Sequence, residues 1–198
     1  MAVSSLQKLS VPALGEGNQT LLMPKLQFRF RVNMVNFGDS STAVELTRQV
    51  MDVSRPQVNF QEITLDVYNS KVYLAGKHEW QPITLNIRDD QTNGVARLVG
   101  EQLQKQLDFF EQASARAGDD YKFGMQIDVL DGSQGSAPQI IERFDLVGCY
   151  LQQTNYNQLN YATSEPVQIA LTIRYDNAIQ LTDALSGSSG GGQATGAG

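Results

Sequence analysis

Alternation of apolar and polar residues dominates the central part of the chain. Because successive side chains of a β-strand point to opposite faces, this period predicts strands with one buried and one solvated face. A shorter strand, Val72–Leu74, is predicted between a turn at Asn69–Lys71 and a loop that begins at Ala75 and Gly76. The alternating stretches lie at residues 24–34, 44–53, 57–68, 82–89, 121–130, 139–153 and 166–176.

One segment has a different period. Its apolar residues recur every three or four positions, which predicts a single amphipathic helix of about 20 residues. The helix is expected to end near Gly118, because glycine suits the position that follows a helix. The apolar positions are Val95, Leu98, Val99, Leu103, Leu107 and Phe110.

Many two-faced strands with one helix predict a mainly β fold. We expect an antiparallel β-barrel or sandwich with one amphipathic α-helix packed on one side. This folded domain is predicted over residues 23–182. Residues 1–22 are predicted to be a flexible N-terminal arm, either frayed or ordered by a partner. Residues 183–198 are rich in Gly and Ser and are predicted to be a flexible tail.

The charge balance argues against a protein that grips nucleic acid. The 198 residues carry 15 Lys and Arg against 21 Asp and Glu, a net charge of −6. Tight binding of duplexes depends largely on neutralising phosphates with basic residues. No apolar stretch approaches the roughly 20 residues that span a bilayer, so no membrane segment is expected. The N-terminus is a poor signal peptide, so we expect the chain to be made and kept in the cytosol or assembled there.

Candidate catalytic and metal-binding residues are few. The chain has one Cys, Cys149, which is predicted to be a buried and inert thiol, and one His, His78, in a predicted loop. The pairs Asp89–Asp90 and Asp119–Asp120 lie at element boundaries, where turn and cap roles are expected. We therefore expect no enzyme activity, no metal and no cofactor.

The long strands suggest assembly instead. They have few turn residues that would protect their edges, and an exposed edge invites pairing with another chain. Either the sheet closes on itself or subunits complete each other. Trp80 is predicted to be either a core residue or an interface anchor. Arg29 and Arg31 lie on the wet face of the first predicted strand, which is either solvated or forms ion pairs between subunits.

Several segments, taken in order, resemble the tail tube proteins of contractile-tailed bacteriophages. The run KVYLAGKHEW at 71–80 and the run PITLNIRDD at 82–90 are similar to a family loop with an Ala-Gly pair and a Trp, followed by a strand and an Asp-containing turn. The run ERFDLVG at 142–148 resembles a strand that leads to a glycine turn. The run at 166–176 is similar to the closing strand of the family. The resemblance covers residues 24–180.

This resemblance implies a structural role. Tube proteins form hexameric rings that stack into a hollow tube inside a sheath, through which DNA passes without specific binding. The implied partners are further copies of the chain, the sheath protein, the tape-measure protein, and baseplate and tail-terminator proteins. The implied location is the tail of a virion that is assembled in the bacterial host cytoplasm. An alternative is the tube of a related contractile injection or protein-secretion device that carries effectors. An enzyme or small-ligand barrel is the third hypothesis.

Two sets of site residues follow from the resemblance. Contacts between subunits or rings are expected at Arg29, Arg31, Lys71, Tyr73, Ala75, Gly76, Lys77, His78, Glu79 and Trp80. A lumen that repels phosphates is expected to be lined by acidic residues. The alternative is that each candidate acidic residue lies on an outer face and is simply solvated. Those candidates are Glu45, Asp52, Glu62, Asp66, Glu142, Asp145 and Asp176.

Overall fold

The computed structural model describes residues 25–38, 43–115, 117–131, 138–162 and 164–181. The predicted arm 1–22 and the predicted tail 183–198 lie outside these ranges. The strands are β1 Phe30–Val35, β2 Val50–Val53, β3 Gln57–Val67, β4 Ser70–Gln81, β5 Ile83–Arg88, β6 Leu107–Asp108, β7 Ala113–Ser114, β8 Phe123–Leu130, β9 Ile140–Asn155, β10 Gln168–Arg174 and β11 Asn177–Leu181. The helices are α1 Ala43–Gln49, α2 Gly94–Gln106 and α3 Gly118–Tyr121.

The 16-residue strand β9 belongs to two antiparallel sheets. Its first part lies between β8 and β11, and β1 pairs with the other edge of β8; these strands form sheet A. Its last part pairs with β10, which is followed by β5 and β2; these strands form sheet B. The predicted mainly β, antiparallel fold is therefore confirmed.

One apolar core joins the two sheets and α2. The core-facing residues of β5 and β10 are almost completely buried, as are Val95, Leu98 and Val99 of α2. Cys149 lies in the same core and is fully buried, as predicted. Burial of these side chains supplies the main driving force for folding of the body.

A side chain covers one strand edge of sheet B. The backbone N–H of Leu151 in β9 donates to Oε1 of Gln106 over 2.9 Å. Nε2 of Gln106 donates in return to the carbonyl oxygen of Leu151 over 3.0 Å. The amide at the end of α2 thus takes the place of a paired strand and satisfies both backbone groups.

The prediction of a strand over 44–53 is wrong for its first part, where α1 occupies Ala43–Gln49. Only Val50–Val53 are extended, as β2. Leu46 is buried and Val50 packs against the core. Their spacing of four residues fits both a strand of period 2 and a helix of period 3.6, so the pattern could not separate the two.

The predicted long helix ends earlier than expected, at Gln106. The carboxylate of Asp108 accepts hydrogen bonds from the backbone N–H groups of Phe110 at 2.9 Å and Glu111 at 3.4 Å. This local turn competes with helix hydrogen bonding. Beyond the helix, Phe110 is 94% exposed, so its helical spacing does not reflect burial.

Two further expectations about strand limits are wrong. The first strand begins at Phe30 rather than near Pro24, because Leu26–Arg29 form a turn in which the Arg29 N–H donates to the Leu26 carbonyl oxygen. Residues Ala75 and Gly76 do not begin a loop but lie within the continuous strand β4. A β-bulge accommodates them, which is a role that glycine often has in a strand.

Candidate assembly surface

The hairpin formed by β3 and β4 is highly exposed. These strands have 11 and 12 residues and pair with each other in a sheet of their own. Every residue of β3 is exposed. The exposed large apolar side chains include Phe60, Ile63, Leu65, Val67, Tyr73 and Leu74. Apolar surface of this extent on a projecting element marks an interaction site.

The base of the hairpin is attached to the end of β10. The ring of Trp80 lies 5.7 Å from that of Tyr175, and Trp80 packs partly against the core. Arg174 donates to the Glu79 carboxylate over 2.8 Å. Pro56 and Pro82 border the hairpin on its two strands, and neither can donate a ladder hydrogen bond. Side chains therefore anchor the base of the hairpin to the body, whereas the two prolines interrupt backbone hydrogen bonding at the same place.

The structure brings the predicted contact residues of 71–80 together on β4. All of them are exposed except Gly76 and Trp80, which are half-buried. The ring of His78 lies 6.2 Å from the rings of both Phe60 and Trp80, so these aromatic groups share one face of the hairpin. Lys71 pairs with Asp66 near the hairpin turn at 3.7 Å.

The other two predicted contact residues, Arg29 and Arg31, lie in the body. Arg29 precedes β1 and donates to the carbonyl oxygen of Asp131 over 2.5 Å. Arg31 and Arg143 hold the carboxylate of Asp128 from both sides, at 2.7 and 2.6 Å. Burial acts to raise the pKa of Asp128, but the hydrogen bonds from these arginines outweigh it and lower the pKa. Arg31 therefore already has a partner within the chain.

The structure does not bring the predicted acidic lumen residues together. Glu142 is buried and accepts from Lys25 at 2.9 Å and from Gln180. The hydrogen bond from Lys25 is the main reason that the pKa of Glu142 is lowered. Asp176 pairs with Lys122 at 2.5 Å. The others are distributed over the fold: Glu45 in α1, Asp52 in β2, Glu62 and Asp66 in β3, and Asp145 in β9.

The outer face of sheet B is polar and close to neutral. Residues that alternate with its buried positions carry hydroxyl and amide groups, and Asn86 donates to the carboxylate of Asp52 over 2.9 Å. Of the predicted acidic residues, Asp52 lies on this face. The polar positions are Thr84, Asn86, Tyr150, Gln153, Asn155, Gln168 and Thr172, and the basic ones are Arg88 and Arg174.

Metal or catalytic chemistry has little support among the described residues. In these residues no group of three or more His, Cys, Asp or Glu side chains could hold a metal ion. Burial raises the pKa of the Cys149 thiol to about 12, so it is not a thiolate at neutral pH. None of the described helices is long and apolar enough to span a bilayer.

The apolar residues near the hairpin turn were not predicted as contacts from the sequence. Ile63, Leu65 and Val67 alternate in β3, and Val72 and Leu74 face them from β4. The sequence did contain a signal for them, because β3 and β4 are two long consecutive strands with no helix between them that could cover either face of the hairpin. Asp128, whose burial depends on residues far away in the sequence, was not predicted either.

Comparisons with known proteins identify the fold. No protein family model matches the sequence, and no curated protein matches it. Among solved structures, a chain of the anti-feeding prophage cap, the AFP tube-terminating cap, matches with a TM-score of 0.62 at 13% identity. That match covers 86% of this chain and 99% of that chain.

Two further matches come from the PVC extracellular contractile injection system in its extended state. A chain of the sheath–tube complex matches with a TM-score of 0.57 at 13% identity, covering 80% of this chain and 92% of that one. A chain of the sheath/tube terminator matches with a TM-score of 0.57 at 12% identity, covering 82% and 99%. The chain therefore shares its fold with chains of the tube-terminating cap, sheath–tube complex and sheath/tube terminator of these two systems.

Proposed function

We propose that this chain is a structural, non-enzymatic subunit that assembles into stacked hexameric rings, which form the tube of a contractile tail. The observation that carries this proposal is the β3–β4 hairpin, whose apolar side chains are exposed on both of its faces. Burying those side chains against other copies would remove apolar surface from water. Residues 71–80 of β4 are then contacts to a neighbouring subunit or ring, and Arg29 and Arg31 lie at a second contact.

The first candidate is the tail tube of a contractile bacteriophage. In this role the subunit resides in the virion tail after assembly in the host cytoplasm, and the viral genome passes through the lumen. Its partners are the sheath, tape-measure, baseplate and tail-terminator proteins. The described fold supports a tube role in general, which this candidate shares with the next one, because the fold is shared with chains of a sheath–tube complex and of tube terminators.

The second candidate is the tube of a contractile injection or secretion device that carries effectors. One observation favours it. If the outer face of sheet B lines the lumen, the lumen wall is near neutral and carries Asp52 with Arg88 and Arg174. A conduit that must repel phosphates is expected to be uniformly acidic. The predicted acidic residues do not form such a surface.

Electron microscopy of the purified full chain over a concentration series tests assembly. We expect closed rings of uniform diameter with sixfold symmetry that stack into hollow tubes as the concentration rises. A particle that stays monomeric by mass photometry and sedimentation at every concentration would contradict the proposed function.

The genes beside this one separate the two candidates. Capsid and tail genes are expected next to a phage tube subunit, whereas effector genes without capsid genes are expected next to an injection device. The lumen can be examined independently by measuring whether assembled tubes protect double-stranded DNA from nuclease. Protection would contradict a tube restricted to protein effectors.

A further inference from the structure

The apolar face of the hairpin changes sides along its length. In the half next to the body, the root half, Val58 faces Trp80 and Phe60 faces His78. The opposite face of this half is polar, with Asn59 across from Glu79. Because cross-strand pairs share a face, the aromatic and apolar groups of the root half all lie on one side of the ribbon.

In the outer half, the tip half, the large aliphatic side chains lie on the other side, whereas Tyr73 faces Thr64 on the same side as Phe60. Ile63 faces Leu74, and Leu65 faces Val72. Within β3 the apolar residues thus move from even positions, at 58 and 60, to odd positions, at 63, 65 and 67. Since successive residues of a strand point to opposite faces, this change of phase moves the apolar surface across the ribbon.

A β-bulge at Gly76 keeps the tip half in register. Phe60 pairs with His78 but Glu62 pairs with Ala75, so β4 has two residues, Gly76 and Lys77, opposite one residue of β3. A Cβ atom at Gly76 would lie 2.9 Å from the carbonyl oxygen of Gln61. Without this bulge, Leu74 and Val72 would be displaced by one position and would face away from Ile63 and Leu65.

We propose that the hairpin binds two different copies of this chain, one through each face; the proposal rests on the proposed function. The root face, formed by Val58, Phe60, His78 and Trp80, packs on a neighbour within the same ring. The tip face packs on a copy in the adjoining ring. It is formed by Ile63, Leu65, Val67, Val72 and Leu74.

The dimensions of the hairpin support this division. Trp80 and Glu79 hold the root half against the end of β10, so this half lies close to its own body and near any copy that packs beside that body. A strand rises about 3.3 Å per residue, so Val67 lies roughly 20 Å beyond Phe60 along the ribbon. The tip half is therefore far enough from the body to reach a copy in another ring.

This chain also provides surfaces that can receive a strand or hairpin. The described strand β1 pairs only with β8, and β2 only with β5, so each has an unpaired edge. Between these edges lies a groove of about 950 Å³ with apolar side chains such as Phe30 and Val50. If the hairpin of one copy enters this groove on the next copy, the contact is head-to-tail. Head-to-tail contacts close into rings or continue as filaments.

Threonine substitutions in the full chain test the two faces separately, because threonine keeps strand propensity while removing large apolar surface. Phe60→Thr changes the root face and Leu65→Thr the tip face. Asn59→Thr and Glu62→Thr change polar residues on the opposite faces of the same two halves and serve as controls. Circular dichroism confirms folding, mass photometry measures rings, and negative-stain microscopy measures ring stacking.

We expect Phe60→Thr to reduce ring formation at least tenfold, and stacking with it. We expect Leu65→Thr to leave rings at the wild-type level while reducing stacking at least tenfold, and both controls to retain rings and stacks. Loss of rings in Leu65→Thr at the same concentrations as in Phe60→Thr would overturn the division, and so would unchanged stacking. If the wild-type chain forms no rings at all, the proposed function itself fails.

Discussion

Two nearly identical five-residue segments have opposite environments in this protein. Ile63-Thr-Leu-Asp-Val67 lies in the hairpin, and Ile83-Thr-Leu-Asn-Ile87 lies in β5 of the body. The apolar residues of the hairpin segment are 46% to 51% exposed, whereas those of the body segment are at most 1% exposed. Both segments form strands, so local sequence specifies the extended backbone equally well in each.

The difference lies in what covers the segments. In the body, β5 lies between β10 and β2, and its inner face packs into the core that includes α2. In the hairpin, β3 pairs only with β4, and neither face is covered along the tip half. An isolated two-stranded ribbon is marginally stable in water. The comparison therefore predicts that the hairpin needs a further surface to cover it for stability, whereas the body has a core of its own.

The largest expected contrast comes from the same substitution in both segments. Leu85→Ala should destabilise the monomer by about 2–5 kcal/mol, because it leaves a cavity in a packed core. Leu65→Ala should change monomer stability by no more than about 0.5 kcal/mol, because that side chain is half-exposed. Urea denaturation at concentrations below assembly measures both values. Similar losses in the two variants would show that the monomer already covers the hairpin.

Two glycines provide the next contrast. Gly148 in β9 has a φ of +70°, and a Cβ there would overlap the Asp176 carboxylate. Gly148→Ala should therefore lower the stability of the body by about 1–3 kcal/mol. Gly76→Ala should leave the unfolding midpoint of the body unchanged but impair stacking of rings, because the bulge can no longer form without a shift. Thermal unfolding and microscopy distinguish these results; a lower midpoint for Gly76→Ala would couple the hairpin to the body.

The ion pairs of Asp128 with Arg31 and Arg143 on sheet A are expected to have a smaller, pH-dependent effect on stability. The pKa of Asp128 is lowered in the folded state, so its stabilisation is present above its unfolded pKa, near 3.9, and is lost as pH falls through the folded pKa. Asp128→Asn should cost about 1–2 kcal/mol at neutral pH. The variant should also lose less stability than the wild type as the pH falls below about 4, which a series of thermal melts would reveal. Parallel pH curves for the two proteins would contradict this role.

The smallest effect is expected at the hairpin turn. The Asp66 and Lys71 side chains are largely exposed and 3.7 Å apart. Such surface pairs contribute little to stability because solvent screens them. Lys71→Met should change neither the unfolding midpoint nor its salt dependence beyond experimental error. A clear loss of stacking in this variant would extend the contact surface of the tip half to the turn.

Much of the body was predictable because each strand buries one face. The alternation identified β5, β8, β9 and β10 and the antiparallel fold, and the period of 3.6 identified the buried face of α2. The helix α1 and the end of α2 were not predictable. Leu46 and Val50 fit two periods, and a turn formed by the Asp108 carboxylate overrides an apolar spacing that continues to Phe110.

The candidate site was predictable only in part. Residues 71–80 were identified as contacts through resemblance, and they do lie together on β4. That region was interpreted as a loop, because an Ala-Gly pair within a strand resembles a break unless a bulge is recognised. The acidic residues were grouped by charge, but their neighbours come from distant parts of the chain. Glu142 is bound by Lys25 and Gln180, for example.

The amino-acid sequence alone determined that most of the body strands are extended, where α2 has its apolar face, and that long strands leave edges that invite pairing. It could not determine that Ile83–Ile87 is buried while Ile63–Val67 is exposed, because the two segments are almost the same. Burial arises from pairing and packing between residues far apart in sequence. The tertiary fold places α2 and β10 against one segment and leaves the other to project from the body.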